Sequence, residues 1–441
     1  MSRRRRRLSR EPVTATIESL SHEGRGITHV GGKTVFVNET LPGETVSFQY
    51  TRQHSRYSEA IPLEILEPNP ERIPAKCDFF SICGGCSFQH VSSGYQIKHK
   101  QQTLSEQFQR IGGIQPREWL PPLTGPAWGY RRRARLAVKY VEKKQRLLVG
   151  FREKSSPFVA DISHCAVLHP GVGDLLEPLQ ELISGLSVIR QLPQIEIAVA
   201  DNAVALVFRH LRALTDVDRT LLEAFAARYG TRVYLQPGGL NTVTPLTTGR
   251  EEPLFYHLGQ PPIKYFFLPT DFIQVNARIN EAMVKLATQL LALDGSQQVL
   301  DLFCGLGNFS LPLARKSKSV TAIEGDAGLI ERARKNAEHN NIDNIKFHTA
   351  NLANDKIASE FIANTYDRVI LDPPRTGADI IIRQLNHKPV DRVIYVSCNP
   401  ATLARDAGIL VNEMGYRLDL AGVMDMFPQT AHIESIALFI R

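Results

Sequence analysis

The chain has 441 residues, of which 43% are hydrophobic, and its formal net charge is +7. This length exceeds what one compact core organises and is typical of two or three domains. No apolar run reaches the roughly 18 residues of a membrane span, and the N-terminus lacks the apolar core of a signal peptide, so we expect a cytoplasmic protein without a membrane anchor.

Positive charge is concentrated in two zones of the chain. Residues 1–10 form a basic tail with six arginines and no acid, and residues 128–154 contain ten lysines and arginines against two glutamates. The remainder of the chain is therefore acidic overall. Two basic zones on an acidic protein predict a nucleic acid as partner. The alternative is a solubilising tail followed by a solvated pair of strands.

Residues 11–68 are predicted to form a small β-barrel of the OB type. Short β-runs alternate there with turns that contain glycine or proline, such as Val30–Lys33 and Leu41–Gly43. Barrels of this type commonly bind RNA on one face, although a purely structural role fits the strand pattern equally well. The predicted strands are Val13–Ile17, Gly26–Val30, Thr34–Val37, Thr45–Tyr50 and Tyr57–Ile61.

A central domain is predicted at residues 75–262, after a proline-rich linker, with a helix at 93–112 that packs on the domain that follows. Because the chain shows no export signal, its cysteines are not expected to form disulfides. Four thiolates in this domain suit either a tetrahedral zinc ion or a [4Fe–4S] cluster, and their spacing alone leaves both open. The four predicted ligands are Cys77, Cys83, Cys86 and Cys165.

Residues 263–441 alternate apolar strands with helices, which predicts a Rossmann-like α/β domain with a parallel sheet. Ligands of such sheets bind at the carboxyl ends of the strands. Helices are expected at 276–293 and 327–340. The predicted strands are Val299–Phe303, Val320–Glu324, Ile345–Thr349, Arg368–Asp372, Arg392–Ser397 and Ser435–Ile440.

The loop after the first of these strands predicts the binding of S-adenosylmethionine. Gly305 and Gly307 let the backbone approach a ligand closely, but Asp301 precedes them and would repel a pyrophosphate while suiting a methionine ammonium group. Glu324, at the tip of the second strand, is placed to bind two ribose hydroxyls, and Asn351, after the third, to contact an adenine edge. The alternative makes Glu324 a surface strand end and Asn351 a turn former.

Cys398 is the candidate nucleophile, because it follows a buried strand. Amino methyltransferases usually place an aromatic residue after the prolines of a loop such as Asp372–Arg375, and the arginine found there disfavours N-methylation. A thiolate that adds to carbon 6 of uracil makes carbon 5 nucleophilic enough to take a methyl group. A base must then remove the carbon 5 proton, and Glu434 is the candidate if its strand runs antiparallel. The residues alone equally allow an inert thiol and a surface carboxylate.

Five segments together resemble the RNA 5-methyluridine methyltransferase family, and the resemblance covers the whole chain. They are Phe272–Asn276, Asp301–Phe309, Asp372–Arg375, Ser397–Pro400 and His432–Glu434. The resemblance implies Cys398 as the nucleophile and Glu434 as the base. It also implies a set of cofactor contacts, from Gln274, Phe303, Asn308, Glu324, Asn351 and Asp372.

The barrel resembles a TRAM domain, an RNA-binding module that separates this chain from the tRNA-modifying branch of the family. In the ribosomal-RNA branch the spacing of Cys77, Cys83 and Cys86 holds a [4Fe–4S] cluster, completed here by Cys165, and we expect a structural or RNA-folding role for it. The resemblance thus implies formation of 5-methyluridine in 23S ribosomal RNA, at a site of the uridine-1939 type. The alternatives are the same chemistry on another 23S uridine or on tRNA, a non-enzymatic RNA-folding factor, and an iron–sulfur redox enzyme.

The segment Trp128–Arg135 combines guanidinium groups with aromatic rings, which suits phosphates and bases that stack outside a loop. Because the target uridine must expose both faces to thiol and methyl donor, we expect it to be flipped out. One of Arg131, Arg132 and Arg133 is expected to polarise its carbonyl, unless the segment is simply an exposed basic strand. The sequence identifies no protein partner, and we expect a monomer.

Overall fold

The computed structural model describes residues 11–247, 249, 252–354, 361, 365–385 and 390–441. The predicted arginine tail, residues 1–10, lies outside them. Contacts divide the described chain into two compact units. The first contains the residues up to Lys100 together with Arg152–Phe158 and Pro428–His432, and the second contains the rest. Within the described residues, no helix is long and apolar enough to span a bilayer.

The first unit contains a β-sheet at the position predicted for the barrel. Its strands are β1 (Val13–Thr16), β2 (Ser19–Leu20), β3 (Gly26–Val30), β4 (Lys33–Val37), β5 (Thr45–Gln53) and β6 (Tyr57–Glu67). They lie in the order β1-β5-β6-β4-β3-β2. Apolar residues alternate with polar ones along the strands, so that Val35, Val46 and Phe48 point into one core and are fully buried.

The cysteine segment of the first unit runs as turns between β6 and helix α1 (Ser93–Gln107). A small cluster of Leu41, Phe88 and Val91 anchors it. Along the chain α1 continues as a π-helical turn, Phe108–Gly112, in the second unit.

A sheet from the middle of the chain forms part of the second unit. Its strands are β8 (Arg133–Val141), β9 (Arg146–Gly150), β10 (Gln194–Val199), β11 (Val204–Arg209), β12 (Thr231–Gln236) and β13 (Thr244–Pro245). The order is β13-β12-β11-β10-β8-β9. Helices α2 (Pro170–Gly173), α3 (Leu176–Ser184) and α4 (Asp216–Tyr229) accompany it. A hairpin, β14 (Phe255–Leu258) with β15 (Ile263–Phe266), precedes the second sheet of this unit along the chain.

The second sheet of this unit has an α/β architecture. It is named the catalytic sheet here because the predicted nucleophile and base lie at the ends of its strands. Its strands are β7 (Glu118–Trp119), β16 (Gln298–Leu302), β17 (Ser319–Glu324), β18 (Ile345–Thr349), β19 (Arg368–Leu371), β20 (Arg392–Ser397), β21 (Arg417–Met424) and β22 (Glu434–Ile440). They lie in the order β18-β17-β16-β19-β20-β22-β21-β7. From β18 to β20 the neighbours are parallel, whereas β22 is antiparallel to both β20 and β21. The sequence analysis did not predict β21.

Helices connect the strands of this sheet, and three of them begin at a capping side chain. They are α5 (Ala277–Leu290), α6 (Ser310–Ala314), α7 (Ala327–His339), α8 (Asp379–Leu385) and α9 (Pro400–Gly408). The side chains of Asn276, Asp326 and Asn399 each accept a hydrogen bond from the first turn of α5, α7 and α9, respectively. Pro400 occupies the first turn of α9, where no backbone donor is required.

Candidate active site

Cys398 and Glu434 lie side by side at one edge of the catalytic sheet. Strands β20 and β22 pair antiparallel, with Ser397 opposite Ser435. Cys398 is the next residue after Ser397, and Glu434 is the residue before Ser435, so the pairing register brings them opposite each other. The role of Glu434 as a base requires β22 to run antiparallel to β20, and it does.

The groups around the Cys398 thiol shift its pKa in opposite directions. It is half-buried, and burial is the main cause that raises its pKa above the usual value, with the carboxyl groups of Glu434 and Asp372 acting in the same direction. The Arg375 guanidinium lowers the pKa of the thiol by its charge and by a side-chain hydrogen bond. Arg375 is therefore the cation that favours a thiolate here.

Helix α9 fixes the loop that carries Arg375. The Asn399 Nδ2 donates to the Arg375 carbonyl over 2.9 Å, and the buried Asp406 carboxylate accepts from the Ala378 backbone N–H over 2.7 Å. Between them Gly377 has a φ of 84°, and a Cβ there would lie 2.6 Å from an Asp406 carboxylate oxygen. The loop can therefore approach α9 this closely only with glycine at that position.

Three carboxyl groups lie at the strand ends of this sheet: Asp301 and Glu434 are buried, and Asp372 is half-buried. Burial raises the pKa of Asp301 and of Asp372 to about 7 in each case. Burial also raises the pKa of Glu434 well above its usual range, and the charge of Asp372 adds to this effect. Within the described residues, one oxygen of the fully buried Asp301 has no hydrogen-bond partner. Such a site favours a cationic ligand, and S-adenosylmethionine carries a sulfonium and an ammonium group.

The glycine loop after β16 has the conformation that close approach to a ligand needs. Phe303, Gly305 and Gly307 all have positive φ angles, of 66°, 54° and 86°. A Cβ on Gly305 would meet no atom within 4 Å, so space is open beside it. Glu324 accepts a hydrogen bond of 3.2 Å from the Gly305 backbone N–H, which ties the tip of β17 to this loop.

The remaining predicted cofactor contacts stand around the same strand ends. Gln274 and Asn308 are half-buried, and the Asn308 carboxamide exchanges two hydrogen bonds, of 3.0 and 2.9 Å, with the buried Asn280. Asn351 is exposed and follows β18, and its side-chain oxygen accepts from the Ala353 backbone N–H. Asn351 thus forms a turn, as the alternative interpretation expected, at a position beside Glu324.

The basic segment lies against the residues that lead into α5. The Arg132 backbone N–H donates to the Val275 carbonyl over 2.8 Å, and Arg131 pairs with Asn276. The Arg132 guanidinium binds Asp201 over 3.0 Å. Arg133 is half-buried and donates to the carbonyls of Pro269 and Ile197, and Arg131 Nε donates to the Arg133 carbonyl. All three arginines therefore have partners within the protein.

The predicted metal ligands divide between the two units. Cys77, Cys83 and Cys86 belong to the first unit and Cys165 to the second, and all four are half-buried. The sulfur of Cys83 accepts a hydrogen bond of 3.4 Å from the Gly85 backbone N–H. Across the described ranges, no group of three or more histidines, cysteines or acids is arranged to hold a metal ion.

Several residues that support the site were not predicted from the sequence. Asn280 and Asp406 contact the cofactor and arginine loops from neighbouring helices, and Ser310 donates a hydrogen bond to Asp301. Each stands in a helix that also packs on the sheet, where polar residues are uncommon inside. A buried asparagine or aspartate in an otherwise apolar helix face is the signal that could have identified them.

Comparison with known proteins confirms the resemblance found in the five segments. The profile of the tRNA (Uracil-5-)-methyltransferase family matches residues 256–441, and that of the TRAM domain matches residues 6–63. The chain is 50% identical over 438 residues to the 23S rRNA (uracil(1939)-C(5))-methyltransferase RlmD of Nitrosococcus oceani, covering 99% of this chain and 98% of that protein. It is 51% identical to RlmD of Alkalilimnicola ehrlichii, over 100% and 99% of the two chains.

A solved structure has the same architecture. The tRNA (uracil-54, C5)-methyltransferase of Pyrococcus abyssi, in complex with S-adenosyl-L-homocysteine, superposes with a TM-score of 0.74 at 25% identity. The match covers 97% of this chain and 100% of that one. Half of all residues are shared with the ribosomal-RNA enzymes, against a quarter with the tRNA enzyme. The chain therefore belongs to the family of 23S rRNA (uracil-C5)-methyltransferases.

Proposed function

We propose that this protein uses S-adenosylmethionine to methylate carbon 5 of a uridine in 23S ribosomal RNA, at a site of the uridine-1939 type, and so acts in the cytoplasm. The observation that carries the proposal is the adjacency of Cys398 and Glu434 across β20 and β22, in a chain that shares half its residues with relatives of that name over its full length. Uridine methylation at carbon 5 needs a nucleophile and a base within reach of one pyrimidine ring.

Cofactor binding is assigned to residues at the carboxyl ends of the strands. The half-buried Glu324 binds the ribose hydroxyls, and Asn351 lies at the adenine edge. Asp301 and Asp372, whose pKa values burial raises to about 7, balance the positive charge of the methionine moiety. S-Adenosylmethionine supplies an electrophilic methyl group there. Gln274, Phe303 and Asn308 complete the predicted contacts.

Cys398 starts the chemistry by adding to carbon 6 of the flipped-out uracil. The addition forms a carbon–sulfur bond and moves electrons to carbon 5, which then takes the methyl group. Only the thiolate adds, and the hydrogen bond and charge of Arg375 favour that form. The half-buried position of Cys398 gives the ring access to the sulfur.

Glu434 ends the chemistry by removing the proton from carbon 5. The electrons of that bond then form the 5,6 double bond, and the sulfur leaves carbon 6 as a thiolate. Glu434 must be ionised for this step, although burial holds its pKa high. The positive charge of Arg375 lowers the pKa of Glu434 against the effect of burial, and so favours the ionised form that acts as a base.

RNA contacts are assigned to the TRAM barrel and to the basic segment before and within β8. Both Arg131 and Arg132 run beside Val275 and Asn276, next to the predicted cofactor contact Gln274. RNA held there has its backbone near the catalytic edge of the sheet, and a flipped uridine reaches Cys398 from it.

The test uses 23S RNA fragments that contain 5-fluorouridine at the target position. Fluorine cannot leave as a proton does, so the methylated RNA stays bound to Cys398 and migrates with the protein on a denaturing gel. We expect an adduct that requires S-adenosylmethionine and disappears with Cys398→Ala. Ser184→Ala in α3, outside the glycine loop and the catalytic sheet, is the control and should retain the adduct. Adducts on tRNA but not on 23S RNA would instead support the tRNA alternative, and an equal yield from Cys398→Ala would exclude the nucleophile.

For the four upstream cysteines we propose a [4Fe–4S] cluster. All four candidate ligands are cysteine sulfurs, which suits an iron–sulfur cluster. The backbone N–H of Gly85 donates a hydrogen bond to the Cys83 sulfur, and such bonds are common at the sulfurs of these clusters. Protein purified without oxygen should contain about four irons and four sulfides per chain. Cys165→Ser should reduce both, whereas Cys304→Ser should not. Zinc in place of iron and sulfide would overturn this proposal.

A further inference from the structure

The loop that carries Gln274 is held from behind by one face of helix α7. Three side chains at spacings of four residues, two on this helix and one at its C-cap, all bind the chain that leads into the loop. Asn340 and Asn336 each exchange hydrogen bonds with a backbone amide and carbonyl of β15, at Lys264 and Phe266 respectively. Residues at such spacings lie on the same side of a helix. α7 therefore fixes the path of the chain up to the loop.

The third member of this face forms an ion pair. Arg332 Nη2 lies 2.6 Å from Asp271 Oδ1, and the second oxygen of Asp271 accepts from the Leu268 backbone N–H over 2.7 Å. Asp271 is 7% exposed. Two oxygens with two different partners fix the carboxylate, and with it the backbone at the start of the loop.

Arg133 holds the same loop from the other side. Its guanidinium donates to the Pro269 carbonyl, and its charge acts on Asp271. The two residues after Asp271 are of a different kind: Phe272 is 70% exposed and Ile273 is buried. Gln274 follows them and is half-buried. The loop thus presents an exposed ring and a polar side chain from a fixed base.

α7 also begins directly behind the other predicted cofactor contact. Glu324 ends β17, Asp326 caps α7, and Arg332 lies in the second turn of the helix. The Arg332–Asp271 pair therefore connects the element after Glu324 with the loop of Gln274. A ligand that binds both Glu324 and Gln274 is sensitive to the distance between them.

We propose that Asp271 and Arg332 are positioning residues that set the separation of Gln274 and Glu324 and so determine the affinity for S-adenosylmethionine. This inference rests on the proposed function, because it takes the cofactor from it. Neither residue is one of the predicted reacting groups, which are Cys398 after β20 and Glu434 at the start of β22. The pair should govern cofactor binding and leave the chemical step almost unchanged.

The test measures binding of S-adenosylhomocysteine by calorimetry and steady-state methylation, with Asp271→Asn and Arg332→Met. We expect each change to weaken cofactor binding and raise the KM for S-adenosylmethionine about 10-fold, with kcat at saturating cofactor within about 3-fold of the wild type. The double variant should bind no more weakly than either single one, because both remove the same contact. Arg332→Lys, which keeps the charge, should recover part of the affinity.

Asp218→Asn is the matched control. Asp218 is also buried and accepts several hydrogen bonds, from Ser187 and Thr215, but it lies at the start of α4 in the middle of the chain. Its loss should lower the melting temperature without changing cofactor affinity. Equal affinity of wild type, Asp271→Asn and Arg332→Met would overturn the inference. If the wild type itself failed to bind S-adenosylhomocysteine, the proposed function would fail instead.

Discussion

The side chains at the end of β20 and the start of β22 have to change charge during one reaction cycle. Cys398 must lose a proton at the beginning, whereas Glu434 must be ionised only at the end. Burial raises the pKa of both groups, and a negative Glu434 would raise that of the thiol further. A protonated Glu434 therefore opposes the thiolate less than an ionised one does.

Replacement of Glu434 by glutamine should separate the two halves of the reaction. Glutamine keeps the shape of the side chain but cannot take the carbon 5 proton, so Cys398 should add and methylation should occur while release fails. We expect a covalent complex to accumulate on ordinary uridine-containing RNA, and kcat to fall by about 10²-fold to 10⁴-fold. Denaturing gels and single-turnover kinetics measure both. As a control, Glu413→Gln changes an exposed carboxylate that pairs with Arg383, and turnover should remain normal. Normal turnover of Glu434→Gln would show that another group is the base.

At the scale of the elements, short sequence patterns predicted where helices begin and where strands lie, but they did not predict which strands pair. The caps Asn276 and Asp326 mark the starts of α5 and α7 in the sequence, and the apolar runs of β16 to β20 lie where they were predicted. β21 was missed because a bulge between Leu418 and Leu420 interrupts its alternation. The direction of β22 also depends on its pairing partner, which the sequence of the strand does not specify.

The same distinction separates the predicted site from its support. Cys398 and the glycine loop belong to short motifs at strand ends, so their chemistry could be inferred from neighbours in sequence. Asp271 and Arg332 are 61 residues apart and meet only in the folded chain. Asn280 and Asn308 are separated by 28 residues. A local pattern can mark such a residue as buried, but its partner depends on how the helices pack on the sheet.

At the scale of the whole molecule, positive charge is concentrated in two zones of an otherwise acidic protein, and we expect both zones to contact RNA. One zone, residues 128–154, precedes and includes β8 and lies beside the loop of Gln274 through Arg132 and Val275. The other is the tail with six arginines, residues 1–10, outside the described residues. Cations that contact phosphates contribute affinity that salt weakens. The first zone therefore places positive charge beside a predicted cofactor contact.

Removal of residues 2–10 should weaken RNA binding without impairing the chemistry. If the six arginines contact phosphates, the truncated protein should lose affinity most strongly at low salt, and the slope of log affinity against log salt should become shallower by up to about 4 to 5. Filter binding to a 23S fragment between low and physiological salt measures the slope. A variant with glutamine at all six arginines keeps the length of the tail and separates charge from chain. kcat at saturating RNA should stay unchanged in both variants, because Cys398, Glu434 and the cofactor residues are intact. An unchanged slope in both would show that the tail does not bind RNA. Affinity recovered by the glutamine variant, with the slope still shallow, would assign the contacts to the backbone instead of the charge.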